Sequence, residues 1–249
     1  RTYLNDTDGG GAADATWTAL RTIRRNVRPF TVPGTVVMAV RVKATDQLNG
    51  FLDTLNVVAT SLLPAWNGSA WVEQATSNPA WVYADILTGS ANRRTAAKSR
   101  LVAEDLADWA AWCEAQGWQF NGVFDSSGTV FERPREVASA GRAAWAIHDG
   151  RITVVRDTPQ TTPVAVISPR NSWGFRAERA FPDRPHALQV SFIDARTWDD
   201  AVRTVYDDGY DAGNATKFER LETVGVTDPE QAWKIGRYHL AQLRLRPEI

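Results

Sequence analysis

Three histidines, one cysteine and eleven tryptophans are the residues of this sequence whose chemistry is most worth testing first. His148, His186 and His239 lie far apart, none stands four residues from another on a helix, and no cysteine pair exists, so the spacing of a zinc site is missing. Cys113 falls in an apolar helical series with Leu106, Trp109 and Ala110, which makes it a small buried hydrophobe rather than a nucleophile. Asp6 to Gly11 faintly resembles a calcium loop, but Gly10 replaces the third acidic ligand and Trp17 stands where a bidentate glutamate belongs. Asp207-Asp208-Gly209-Tyr210-Asp211 is a second calcium candidate, weighed against a solvated turn, which such clusters form at little cost. Gly9-Gly10-Gly11 lacks the Lys-Ser/Thr ending and the preceding strand of a phosphate cradle, and no serine sits in a Gly-x-Ser-x-Gly elbow. For a hydrolase triad the histidines are poorly placed: His148 in a hairpin strand, His186 after a proline-rich loop, His239 within a helix. The tryptophans admit two readings. Stacked on sugar rings and joined by two carboxylates they would make a glycosidase; filling the core or anchoring subunit contacts, they are structural. Trp81, Trp109 and Trp233 fit inward helical positions, and no pair of carboxylates stands out, so the second reading is preferred. No catalytic, cofactor-binding or metal-binding residue is assigned, and no enzymatic activity is expected.

The elements that carry these residues are those of an ordinary folded chain. At 249 residues it suits one large domain or two smaller ones, and 43% hydrophobic with 23% charged residues is a globular composition. A formal charge of -1 gives no basic field for nucleic acid or an anionic membrane. No apolar run approaches the ~20 residues of a membrane span. The chain opens at Arg1, with no signal peptide as given, and closes at Arg246-Pro247-Glu248-Ile249, which reads as a fragment cut from a longer polypeptide.

Asn5 to Gly11 reads as a loop. Thr35 to Lys43 and Leu55 to Leu63 read as strands, the second ended by Pro64, with a turn at Trp66-Asn67-Gly68-Ser69 before Ala70 to Glu73. Asn78-Pro79 caps and opens a helix with Trp81, Val82, Ile86 and Leu87 inward and Gly89 as its end. Ala103 to Gln116 is a clearer helix, with Glu104, Asp105 and Asp108 outward and Gly117 as its stop. Glu132 to Trp145 is expected to be a third helix with Pro134 in its first turn. Asp149-Gly150 marks a two-residue hairpin turn within Ala144 to Asp157. Strands are expected at Pro163 to Ile167, Trp173 to Glu178, Ala187 to Ile193 and Ala201 to Tyr206. A final helix follows Asp228-Pro229-Glu230, capped by Thr227, with Ala232, Ile235, Tyr238, His239 and Leu243 inward. Strands, helices, strands and a helix in that order predict an α+β fold with mainly antiparallel pairing.

Three stretches together resemble a known family. The first is Trp66-Asn67-Gly68 through Trp71, then Thr76-Ser77-Asn78-Pro79-Ala80-Trp81-Val82 and Asp85-Ile86-Leu87-Thr88-Gly89. The second is Phe120-Asn121-Gly122-Val123-Phe124-Asp125, followed by a helix and the hairpin from Asp149-Gly150-Arg151 to Asp157-Thr158-Pro159. The third is Val190 to Asp194, Tyr206 to Gly209, Gly225-Val226-Thr227-Asp228-Pro229-Glu230-Gln231-Ala232, and Gly236-Arg237-Tyr238 with Leu240. In this order, from about Pro33 to Glu248, they resemble the tail-tip proteins of the host-specificity type, the tip attachment protein J of lambda-like phages. The resemblance implies a baseplate-hub-like central tail protein, a barrel-like tube domain with an inserted helical region, self-associating as a trimer. Residues 1–76 would be a partial N-terminal strand-rich tube segment, 77–143 the helical insertion, and 144–249 a strand-rich tube segment with the C-terminal helix. It further implies a structural component of the virion tail tip, made in the bacterial cytoplasm, that contacts other tail-tip and tail-tube proteins and forms part of a conduit for DNA delivery. Host contact would come only through downstream regions absent here. No cofactor, membrane span or specific nucleic-acid site is implied. The reading of a different class is a carbohydrate-binding or glycan-hydrolysing tail module.

Overall fold

The computed structural model describes residues 38, 57–124, 128–159, 161, 163, 165–174 and 184–245. The chain divides into two compact units, Arg1–Val57 and Val58–Ile249. In the first, Met38 is irregular and half exposed; the loop expected at Asn5 to Gly11 and the calcium-loop candidate with Trp17 lie outside the described residues, as does the rest of the Thr35 to Lys43 strand. The second unit is mixed α+β. Its seven described strands form two two-stranded sheets and one three-stranded sheet, with four α-helices and no closed barrel among the described residues.

Strand β1 (Leu62–Trp66) pairs antiparallel with β2 (Trp71–Ala75). Asn67 builds the turn between them by accepting, through Oδ1, the N–H groups of Ser69 (3.0 Å) and Ala70 (2.8 Å). Pro64 does not end the strand, as the sequence suggested, but lies within it. Backbone bonds at Thr76–Ser61 and Asn67–Ala70 bracket the ladder, so alternation leaves Pro64 in a non-hydrogen-bonded position, where its missing N–H costs nothing. Residues 57–61 are irregular and exposed, so the strand expected from Leu55 begins only at Leu62. Trp66 and Trp71 face each other across the ladder with ring centroids 5.6 Å apart, and Trp71 meets Trp81 edge-on at 6.1 Å. These contacts fasten the hairpin to helix α1 (Pro79–Thr88).

Asn78 caps α1 as expected, accepting the Ala80 N–H at 3.0 Å, and its Nδ2 also donates to the Ala110 carbonyl at 2.9 Å. Trp81 and Leu87 are buried; Val82 and Ile86 are only partly so, and the deepest side chain is Tyr83, whose hydroxyl donates to the Thr153 carbonyl. Helix α2 (Ala103–Gln116) buries Leu106, Trp109, Ala110 and Cys113 and keeps Glu104, Asp105 and Asp108 outward. Gly117 stops it at φ +70°, a left-handed conformation that glycine adopts without strain.

Helix α3 spans Glu132–Ala140 and does not continue to Trp145. Its start is set by a reciprocal capping box: Thr129 N–H donates to the Glu132 carboxylate (2.8 Å), and Glu132 N–H donates to the Thr129 hydroxyl (3.1 Å). It ends where Gly141 passes beneath Trp109, whose Nε1 donates to the Gly141 carbonyl at 2.9 Å; a Cβ there would overlap the indole and Pro79. Strands β3 (Ala143–His148) and β4 (Arg151–Arg156) form the expected hairpin, with Asp149 and Gly150 at φ +49° and +73°.

Ala165 to Ile167, expected within a strand, is irregular, with Val166 and Ile167 exposed; no partner strand lies alongside among the described residues. Trp173 and Gly174 are irregular too, and the rest of that expected strand lies outside the described residues. Strands β5 (Ala187–Ile193) and β6 (Asp200–Tyr206), both expected as strands, pair antiparallel. Strand β7 (Phe218–Glu222), not anticipated from the sequence, adds to the other side of β5 in parallel, giving the order β6-β5-β7.

Helix α4 (Pro229–Leu245) covers one face of this sheet. Gly236 lets it approach: a Cβ at that position would lie 2.8 Å from Val205 and 3.0 Å from Val190. Its cap is Asp228, which accepts the Gln231 N–H at 2.7 Å, and not Thr227, whose hydroxyl instead accepts from Asn121. Ala232 and Ile235 are buried as expected, joined by Gln231, Gly236 and Leu240; Tyr238 and His239 are half buried, and Leu243 is exposed. The helical layer and the α4 sheet share one hydrophobic core that runs from Leu63 and Trp81 through Trp109 and Val137 to Val190, Val205 and Leu240.

Asn78→Ala should destabilise the protein by about 2 kcal/mol, combining the lost cap with the lost bond to Ala110. Asn78→Ser, which keeps a capping oxygen and loses the Nδ2 donor without setting an anion against the Ala110 carbonyl, should cost less. Urea unfolding of the two variants checks both the total and the order.

Candidate functional site

The irregular segment after α2 is where the layers meet. Phe120 N–H donates to the Ser77 carbonyl (2.8 Å), and Asn121 N–H donates to the Gly225 carbonyl (2.7 Å). The Gln231 side chain, 2% exposed, accepts the Gln119 N–H (3.1 Å) and donates to the carbonyls of Gln119 (2.9 Å) and Ala140 (3.1 Å). Gly225, at φ +71°, lies directly under the Phe120 ring, where any side chain would overlap it.

Beside this junction a cleft of about 390 Å³ opens between α4 and the β3–β4 hairpin. Trp118, Arg142, Arg156, Tyr238 and His239 are among its walls. Arg142 follows Gly141 at φ +53°, and its guanidinium lies 4.3 Å from the Tyr238 ring and 5.9 Å from the Trp112 ring. Arg156 lies 5.6 Å from the Trp112 ring and forms an ion pair with Asp108. The Nε–H of Arg142 and the Nε1–H of Trp118 are buried without a hydrogen-bond partner. A second cleft of about 300 Å³, lined by Arg135, Glu136 and Thr223 among others, lies against the same Ser139, Ile235 and His239.

The chemistry-bearing residues singled out from the sequence do not converge. Cys113 is fully buried beneath α3, and burial pushes its thiol up to about 12, which removes it as a thiolate nucleophile. His148, at the exposed end of β3, lies 3.4 Å from Asp149. His186 stacks on Tyr210 at 4.0 Å, and its Nδ1 accepts the Thr216 N–H at 3.1 Å. His239 is half buried, and desolvation lowers its pKa below the ordinary imidazole range.

The acidic turn after β6 is held by cations of α4. Arg237 donates to Asp208 at 2.6 Å and to the Tyr206 carbonyl at 2.7 Å, and Arg244 pairs with Asp207 and Asp208. These hydrogen bonds keep the Asp208 carboxyl below the usual range. Asp211 accepts the N–H groups of Gly213 and Asn214. The turn reading of this cluster therefore has a specific form: its carboxylates staple the β6 end to the last helix. Among the described residues, no group of three or more His, Cys, Asp or Glu side chains is arranged to hold a metal ion, and no helix is long and apolar enough to cross a membrane.

Trp81, Trp109 and Trp118 are core residues, whereas Trp233, expected inward, is 37% exposed because Gln231, Ala232 and Ile235 take the buried face of α4. Trp173 and Trp198 are largely exposed, Trp198 at φ +63° in the β5–β6 connection. Sequence reading missed Gln231, Arg142 and Trp118. Only Gln231 carried a legible signal, as a polar residue on the apolar stripe of α4. No family model matches the chain, and no curated protein is similar to it.

His239 makes stability depend on pH. Its folded-state value lies below its unfolded value, so as pH falls below about 6.5 the unfolded chain takes up the proton first and the folded state loses stability. In urea unfolding at a series of pH values, His239→Gln should show a shallower loss of stability below about pH 6.5 than the unaltered protein. Parallel curves would contradict this.

Proposed function

We propose that this chain is a structural component of a bacteriophage or prophage tail tip, part of a central hub, and that it acts by assembly and not by catalysis. The observation that carries the reading is where the residues of the family resemblance meet. Ser77 from the first stretch, Phe120 and Asn121 from the second, and Gly225 and Thr227 from the third are joined directly by hydrogen bonds at one junction. The residues that carry the resemblance thus meet at one structural junction within the chain, a role in packing. The sheet supplies a second support. Strands β6 and β7 have outer edges that pair with no strand among the described residues, and Ile193 and Val202 are half exposed. Such edges are a liability in an isolated chain and an asset in a ring whose strands continue across subunits. In this reading the strand-rich segments contribute to a barrel-like tube, the full-length protein forms a trimer, and neighbouring tail-tip and tail-tube proteins stack on it.

An obligate interface of this kind should bury more than about 2,000 Å² in total. Light scattering on the full-length protein at micromolar concentration should give three times the chain mass, and gold-labelled antibody against this chain should decorate the tips of tailed particles from the producing bacterium. A stable monomer, or label elsewhere on the particle, would overturn the proposal.

A further inference from the structure

We propose that Asn67 is a self-modifying site: in the folded protein its side-chain amide is lost through a cyclic imide formed with the Gly68 nitrogen, leaving aspartate or isoaspartate. The chemistry needs only the chain and water. The Gly68 nitrogen attacks Cγ of Asn67 and gives up its proton to solvent. The N–Cγ bond forms, the Cγ–Nδ2 bond breaks, and Nδ2 gains a proton and leaves as ammonia. Water then opens the imide, either at Cγ, which gives aspartate, or at the main-chain carbonyl, which gives isoaspartate. In isoaspartate the main chain runs through the former side chain. No oxidation or reduction is involved.

The described residues hold a second Asn-Gly pair, Asn121-Gly122, and both asparagines are exposed, so access of water does not separate them. Hydrogen bonding does. Asn67 Oδ1 accepts the Ser69 N–H (3.0 Å), the Ser69 hydroxyl (3.0 Å) and the Ala70 N–H (2.8 Å). That oxygen takes up negative charge when nitrogen adds to Cγ, and donors already aimed at it stabilise the intermediate as an oxyanion hole does. The leaving group, Nδ2, and the attacking Gly68 nitrogen have no hydrogen-bond partner among the described residues. Gly68, at φ +96° with nothing within 4 Å of where a Cβ would stand, leaves the attack unhindered. Asn121 is arranged the opposite way. Its Nδ2 donates to the Thr227 hydroxyl at 2.9 Å and to the Gln119 side-chain oxygen at 3.4 Å, and its N–H is tied to the Gly225 carbonyl. Gly122 is hemmed in, with a Cβ position 3.1 Å from the Phe120 ring and 3.2 Å from Gly225. There the leaving group is held and the main chain is fixed. Isoaspartate at position 67 would add a methylene to the chain between Trp66 and Trp71, the pair that fastens the hairpin to α1.

Asn121 is the internal control. The folded protein, and the same chain in guanidinium chloride, are held at mildly alkaline pH in isotopically labelled water and sampled over several weeks. Mass spectrometry of the digests follows the amide-to-acid mass gain at the peptides carrying Asn67 and Asn121, and electron-transfer fragmentation separates isoaspartate from aspartate. In the folded protein Asn67 should convert at least tenfold faster than Asn121, with isoaspartate among the products. In denaturant the two rates should come within threefold of each other. Ser69→Ala, which removes one donor to Oδ1 at an exposed turn, should slow Asn67 at least twofold in the folded protein and leave its rate in denaturant unchanged. Equal rates at the two asparagines in the folded protein, or aspartate formed without isoaspartate, would overturn the site. A tenfold difference that persists in denaturant would place its cause in the local sequence and overturn the structural account, as would a folded-state rate that Ser69→Ala leaves unchanged.

Discussion

The structure turns on one buried carboxamide. Gln231 lies in the first turn of α4, yet its side chain reaches out of the helix to the irregular segment after α2 and pairs with both the N–H and the carbonyl of Gln119, as a neighbouring strand would. Its second amide hydrogen goes to the last residue of α3. One side chain thereby satisfies three backbone groups that have no regular secondary structure to pair them, each of which would cost about 1–3 kcal/mol if buried alone. The α4 sheet and the helical layer contribute to one core, and this amide fixes how they meet. Without it, the apolar surfaces of α4 would still favour burial, but nothing directional would set the register of the helix against the segment from Trp118 to Phe120.

The rest of the molecule follows from that docking. Once α4 is placed, Gly236 brings it onto Val190 and Val205, Arg237 and Arg244 reach the Asp207–Asp208 turn, and Tyr238 arrives beside Arg142. The cleft is a consequence of the same geometry: it is bounded by Trp118 just after the Gly117 stop of α2, by Arg142 two residues beyond the α3 end, by the β3–β4 hairpin, and by α4 from Ile235 to Gln242. Packing is dense enough around Trp109 to dictate the chain path at Gly141, which is why α3 stops where it does and Arg142 takes a left-handed backbone.

What the sequence disclosed follows the range of each interaction. Local signals were legible: Asn78-Pro79 opening α1, Gly117 closing α2, Asp149-Gly150 turning the β3–β4 hairpin, and the alternating run of β5. The α+β class with mainly antiparallel pairing came from those elements. Misreadings arose where a distant partner decided. Pro64 sits inside a strand because the ladder's alternation spares its nitrogen. Trp145 belongs to a strand because Trp109, far away in sequence, ends the helix before it. Val166 and Ile167 have strand-forming side chains and no strand beside them among the described residues, while the charged β7 sequence, Phe218-Glu219-Arg220-Leu221-Glu222, pairs because β5 offers an edge. The start of α3 at Glu132 was read from the sequence, and the local capping box of Thr129 and Glu132 supports it. Gln231 showed only as a polar residue on the apolar stripe of α4; its partners, 112 and 91 residues away, and the cleft had no local signature.

The account is tested most directly by native-state hydrogen exchange at the backbone amides of Gln119, Phe120 and Asn121. They belong to a segment with no helix or strand, where exchange would ordinarily be fast. If Gln231, Ser77 and Gly225 hold them as described, all three should exchange only through global unfolding, with protection equal to that of the central residues of β5. Exchange at the rate of an exposed loop would contradict the claim that this junction organises the fold.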